Sequence, residues 1–354
     1  MELKYLPKVW KRGTDLLGTR YAILCGAMTW VSESNLVSAI SNAGGFGVLA
    51  GGNMPPELLA EEIEKTRMKT SLPFGVNMIT VAPNFHAHID VVVRERVSHA
   101  FFAGAIPSGK DIERVKGSGA KILCFAPVLS LAKRMIRQGV DAIVIEGSEA
   151  GGHIGPVSTS VLAQEFLLSI MEVPVFVAGG IGTGEMIAQY LSLGASGAQL
   201  GTRFVVAEEC VAHPRFKEAF IRAQARDAMP TTQFDPSLPT IPVRAIMNEG
   251  TQEFNRLQLE LLAKVKAGEL SREEGQLKLE EFWMGSLRRA VVEGDIERGS
   301  LMAGQSVAFA KKIQPVALII EELVQGAERK LAEMAGEDAR ETMGAAAAAV
   351  PRPR

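Results

Sequence analysis

The stretch DAIVIEGSEAGGHIGP, residues 141–156, holds the side chain best suited to acid–base work. His153 stands among four glycines, Gly147, Gly151, Gly152 and Gly155, packed into nine residues. An imidazole exchanges protons near neutral pH, and a glycine-rich loop lets backbone approach a flat or charged ligand closely. The plainer reading is a tight loop around a histidine of structural use. Glu146 ends the apolar run Ala142–Ile145 and faces the same space; its plainer use is a salt bridge beside a helix. Asn77, after PFGV, offers a donor and an acceptor to a polar ring edge, or closes an Asx turn.

Two further loops carry anion chemistry. They read AGGIGTGE (Ala178–Glu185) and LGTRF (Leu200–Phe204). Gly179, Gly180 and Ile181 present backbone N–H groups at an expected helix start, where the dipole favours a phosphate. Gly201 and Thr202 add an amide and a hydroxyl. Gly26 and Met28 follow the first apolar run and line an apolar face. His86 and His88, in APNFHAHID, read as surface residues of a loop, and no metal-ligand spacing occurs.

These residues need a frame, and the apolar runs provide it. Strands are expected at Tyr21–Cys25, Phe46–Ala50, Pro73–Met78, His99–Ala103, Lys121–Phe125, Ala142–Ile145, Val173–Ala178 and Ala198–Leu200. Helix-period stretches separate them, among them Ser34–Ala43, a charged helix from Pro56 to Lys69, Asp111–Gly117, Val128–Gln138, Val161–Met171 and Glu185–Leu193. Repeated strand–helix units imply parallel pairing, and eight of them imply an α/β fold closed as a (β/α)₈ TIM barrel. An open doubly wound sheet ranks second, because no glycine fingerprint follows the first strand.

The barrel is expected over residues 15–213. Residues 214–295 show no strand pattern and read as a small helical substrate or lid domain; residues 253–283 are charged, with apolar positions at helical spacing. A solvated surface hairpin explains that spacing equally well. Residues 296–330, with a helix near Val316–Met334, return to the barrel, and residues 331–354 are expected to be a disordered tail. In such a barrel, ligands gather at the C-terminal strand ends, and phosphates at the loops after the seventh and eighth strands. The two glycine loops fall there.

Composition narrows the function classes. The 354 residues are 47% hydrophobic and 22% charged, with net charge −2, which gives no reason to expect nucleic acid or an anionic membrane as partner. Cys25, Cys124 and Cys210 form no CxxC pair and read as reduced, buried thiols. The start, MELKYLPKVWKRG, lacks the apolar core of a signal peptide, and a cytoplasmic protein is expected, compatible with a homodimer.

Taken together, CGAMTWVSESNLVSAISNAGGFGVLAGGN, PFGVNM, EGSEAGGHIG, VPVFVAGGIGTG, GAQLGTRF and GSLMAGQS resemble one superfamily. It joins the FMN-dependent nitronate monooxygenases (2-nitropropane dioxygenases) with the FabK-type enoyl-acyl-carrier-protein reductases. TRFVVAEECVAHPRFKEAFIRA, VRAIMN and RRAVVEGDIERGSLMAGQS are most similar to the FabK type. Cys25 stands where many relatives have glutamine, Ile106 where asparagine is common, and Gly182 and Thr183 where alanine and aspartate are usual.

The resemblance implies FMN at the barrel mouth, contacted by Gly26, Met28, Asn77, Glu146 and Gly152, with its phosphate on Gly179, Gly180, Gly201 and Thr202. It implies that His153 is the catalytic histidine. In a reductase, NADH or NADPH reduces the flavin, which gives hydride to the β-carbon of a 2-enoyl thioester, carried on acyl carrier protein or CoA. In a monooxygenase, an alkyl nitronate reduces the flavin and oxygen completes the cycle. A third possibility is a non-catalytic barrel that binds flavin or a sugar phosphate.

Overall fold

The computed structural model describes residues 3–337. Eight parallel strands form the core sheet: β1 (Ile23–Cys25), β2 (Val48–Ala50), β3 (Gly75–Ile79), β4 (His99–Ala103), β5 (Lys121–Phe125), β6 (Ala142–Glu146), β8 (Val175–Ala178) and β9 (Gly197–Leu200). They follow one another around the sheet, and β9 returns to pair with β1, Leu24 opposite Gln199. Closure is completed at Phe46, which donates its N–H to the Ile23 carbonyl at 2.8 Å and accepts from the Cys25 N–H at 2.9 Å. This is the expected (β/α)₈ barrel. Each strand is one of the apolar runs because a parallel strand is covered on both faces and need not alternate.

The intervening helices form the outer layer. The one after β6 spans Thr159–Leu167, earlier than the expected Val161–Met171, because the Glu149 carboxylate accepts both the Thr159 N–H and its hydroxyl at 2.9 Å. One helix was not expected. Residues Phe85–Arg94 are helical, and His88 on it is fully buried, its Nε2 2.8 Å from the Met54 carbonyl. The surface assignment therefore fails for His88, whose ring bridges two elements, and stands for exposed His86. All three cysteines are free and buried, and burial pushes the Cys25 thiol up to about 12.

The segment after the barrel is not purely helical. A second sheet joins β10 (Ala228–Pro230), β11 (Val243–Ile246) and β12 (Leu301–Met302), with β7 (Gly152–His153) paired antiparallel to β11. Strands of two to four residues carry too few positions for alternation to register in a sequence. Two helices follow β11, Glu249–Ala267 and Arg272–Arg288. Gly268, at φ +75°, ends the first, and Ser271 with Glu274 forms the capping box of the second. They enclose their own core of Leu238, Val243, Phe254, Leu261, Leu279 and Trp283, with the Phe254 and Trp283 rings 4.2 Å apart. A merely solvated hairpin would have no such core.

The chain then returns to the barrel. The helix Val316–Met334 packs against the helix Gly184–Ser192. Residues 331–334, assigned above to a disordered tail, are thus helical, and the rest of that assignment from residue 338 lies outside the described residues. Buried Glu328 on this helix accepts the N–H groups of Tyr5 (2.8 Å) and Leu6 (2.9 Å), clasping the first helical turn of the chain. Among the described residues no helix is long and apolar enough to cross a membrane.

Candidate active site

The C-terminal ends of the barrel strands gather most of the residues singled out above. Gly26 follows β1, and a Cβ there would lie 3.3 Å from Gln199 Nε2. Met28 lies beside Gly201, its sulfur 3.3 Å from where a Gly201 Cβ would stand. Asn77 is buried on β3, opposite Ala50, and its side-chain amide has no hydrogen-bond partner among the described residues. Glu146 ends β6 opposite Ala178, so it adjoins the glycine loop that follows β8.

That glycine loop is shaped by its neighbours. Gly179 and Gly180 have φ of +98° and +70°, in the left-handed region that glycine favours. A Cβ on Gly179 would stand 2.9 Å from the Gly147 carbonyl oxygen, so the loops after β6 and β8 touch backbone to backbone. The helix beyond begins at Gly184, capped by the Thr183 hydroxyl, which accepts the Met186 N–H at 3.3 Å. Gly179, Gly180 and Ile181 therefore precede the helix and do not open it. Among the described residues no acceptor takes the N–H groups of Gly179, Gly180, Ile181 or Gly182, nor those of Gly201 and Thr202. Successive unpaired amides at a barrel mouth form an anion cradle. The Thr202 hydroxyl accepts the Gly304 N–H at 3.0 Å, which ties the return segment to the same rim.

His153 is placed differently from the others. It lies on β7, opposite Val243 of the second sheet, with its side chain partly exposed. Its Nε2 is 3.1 Å from one carboxylate oxygen of Glu280, on the helix Arg272–Arg288. Gly152 precedes it at φ +80°, opposite Arg244. The charge of His153 acts on Glu146, whose carboxyl is pushed up to about 7 by desolvation and pulled back down by that charge. A carboxyl at that value is close to half protonated at neutral pH, able either to donate or to accept a proton.

Three further residues bear on the site and were not singled out from the sequence. Gln199 on β9 is 6% exposed, and its Oε1 is buried without a partner. A polar residue inside the apolar strand GAQL was the available signal, since buried polar side chains call for a partner. Arg244, 7% exposed, donates from Nε to the Ser148 carbonyl at 2.9 Å and from Nη1 to the Ala228 carbonyl at 2.6 Å. It pins the histidine loop to the second sheet. Glu280 is the third. Among the described residues no group of three or more His, Cys, Asp or Glu side chains is arranged to hold a metal ion.

The arrangement fits FMN. Unpaired amides after β8 and β9 suit a phosphate, and the buried, unpartnered Oε1 of Gln199, with the side-chain amide of Asn77, suits the polar edge of a flat ring.

Comparison with known proteins agrees. The family model for nitronate monooxygenase matches residues 11–85 and 78–326. A Mycobacterium tuberculosis protein named (3aS,4S,5R,7aS)-5-hydroxy-7a-methyl-1-oxo-octahydro-1H-indene-4-carboxyl-CoA dehydrogenase is 30% identical, covering 88% of this chain and 94% of its own length. A probable nitronate monooxygenase of Staphylococcus aureus is 27% identical over 84% of this chain and 92% of its own. Among solved structures, FabK from Thermotoga maritima superposes with a TM-score of 0.83 at 37% identity, covering 92% of this chain and 99% of that one. Nitroalkane oxidase from Streptomyces ansochromogenes shares the fold, with a TM-score of 0.76 at 23% identity, covering 91% of this chain and 99% of that one.

Proposed function

The chain belongs to the nitronate monooxygenase family of FMN-dependent oxidoreductases, and from that premise we propose that it reduces the double bond of a 2-enoyl thioester, with NADH or NADPH as electron source. The thioester is carried on CoA or on acyl carrier protein. The likeness to FabK at 37% identity supports this reading, as does the CoA thioester in the name of the M. tuberculosis relative.

FMN, when bound, supplies the two-electron chemistry, while the protein supplies position and electrostatics. The amides of Gly179, Gly180, Ile181, Gly201 and Thr202 hold its phosphate, and Gln199 and Asn77 meet the polar edge of its ring. Gly26 and Met28 line its apolar face.

The observation that carries the reading is the partly exposed imidazole of His153, held on β7 against the second sheet and near enough to lower the Glu146 carboxyl by its charge. Hydride addition at the β-carbon of an enoyl thioester leaves an α-carbanion that must collect a proton, and a partly exposed imidazole at the mouth is suited to give it. A nitronate arrives already deprotonated and makes no such demand. Nitronate oxidation with oxygen is the second reading, supported by the family model and the S. aureus relative.

Anaerobic mixing of the flavin-loaded protein with NADH or NADPH, then with crotonyl thioester, tests the proposal. Bleaching by the nicotinamide and recovery of colour with the thioester are expected. Bleaching by propionate nitronate, with both nicotinamides inert, overturns it in favour of the second reading. His153→Ala is expected to retain flavin and to lose about 10²–10⁴-fold in turnover.

A further inference from the structure

His153 belongs to the barrel by sequence, yet the lid holds its ring. The Nε2 atom lies 3.1 and 3.4 Å from the two oxygens of Glu280, a residue 127 positions away on the lid helix Arg272–Arg288. The backbone beneath is held by the same body: β7 pairs with β11, and the Ile154 N–H donates to the Pro242 carbonyl at 2.9 Å. Buried Arg244 fastens the preceding loop through the Ser148 carbonyl. Loop and ring are thus both set from the lid side, while Glu146 approaches from the barrel.

The chemistry of the contact decides which nitrogen does what. An ionised carboxylate only accepts hydrogen bonds, so the Nε2 it faces carries the ring proton. In the neutral imidazole, Nδ1 then holds the free lone pair, and the proton that reaches or leaves a substrate travels through Nδ1.

We infer that Glu280 is a positioning residue: from the lid it fixes the tautomer and orientation of His153, so that Nδ1 is the nitrogen presented to the substrate. This rests on the enoyl-reductase reading for its use, though not for its existence. The lid then completes the acid–base group as well as covering the mouth, and a barrel without its lid would retain the histidine but not its set.

The test is NMR of the flavin-loaded enzyme with isotope-labelled histidine ring nitrogens. The five histidines are separated by comparison with a His153→Asn variant. The wild-type His153 signal is expected to show protonation at Nε2 alone in the neutral ring, and Glu280→Ala a mixture of tautomers. Turnover in Glu280→Ala should fall about 10- to 100-fold, as when a metal-bound histidine loses the partner that orients it, with KM and flavin content unchanged. Glu280→Gln, whose Oε1 still accepts, should keep the tautomer and most of the turnover. An unchanged tautomer in Glu280→Ala overturns the inference, as does a Glu280→Gln variant no better than Glu280→Ala. If His153→Ala turns over at the wild-type rate, the reductase reading fails instead, and the tautomer comparison still stands because it needs no turnover.

Discussion

Replacing Glu146 by glutamine should make the protein more stable at alkaline pH and leave it nearly unchanged at acid pH. The carboxyl sits at the barrel mouth, where desolvation raises it from 4.5 to about 7, with His153 partly opposing the rise. An acid whose pKa is raised by folding binds its proton more tightly in the folded chain. Between the unfolded and folded values the native state therefore holds more protons, and stability falls as pH climbs. The difference between 4.5 and about 7 corresponds to about 3 kcal/mol, fully lost above the folded value. Part of Glu146 is exposed at the mouth, so water makes that figure a ceiling. Glutamine has no charge to desolvate. The stability difference between variant and wild type should thus grow by about 2–3 kcal/mol from about pH 5 to about pH 8. Urea unfolding of the flavin-free proteins measures it, flavin being omitted so that binding adds nothing. The double difference cancels the titration of other groups. A flat difference across that range, or a glutamine variant less stable at the higher pH, would refute the reasoning.

Two other substitutions separate binding from folding. Gln199→Leu removes the orphaned amide oxygen beside Gly26, so the flavin-free protein should unfold at the same urea concentration or higher, while FMN affinity falls about tenfold, the value of one hydrogen bond of about 1.4 kcal/mol; fluorescence titration with FMN measures the loss, and unchanged affinity removes Gln199 from the site. Trp283→Ala takes the largest side chain out of the second core, 3% exposed and packed against the tilted ring of Phe254. It should cost about 3–5 kcal/mol and open the hairpin to limited proteolysis near Gly268 before the barrel is cut.

The barrel was legible because most of its strands are short apolar runs closed by glycine or proline, and a strand buried on both faces leaves that mark directly. The loop after β8 was legible for a related reason. Backbone held at positive φ, as at Gly179 and Gly180, tolerates little but glycine, so conformation is written into composition. The second sheet left no comparable trace. Val243–Ile246 is a strand because β7, β10 and β12 supply its partners, and β7 and β12 lie far from it in the chain. His88 reads like exposed His86, two residues before it, until the helix turns one ring inward and the other out. Glu280 and Arg244 were invisible for the same reason: their partners His153 and Ser148 lie 127 and 96 positions away, and no local pattern encodes such a pairing.

The Glu328 clasp on Tyr5 and Leu6 has a consequence for how the molecule is made. Its two halves are separated by more than three hundred residues, so a nascent chain cannot form it until residue 328 has been made. All eight barrel strands and the helices Glu249–Ala267 and Arg272–Arg288 leave the ribosome before the helix that carries Glu328. The turn at Tyr5 and Leu6 must then wait, its amides served by water, although folding during synthesis generally proceeds from the N-terminal side onward. Closing so long a loop is entropically little worse than closing one half its length. The delay is therefore one of order in time, and the helix Val316–Met334 acts as the latch that secures the turn Leu6–Val9.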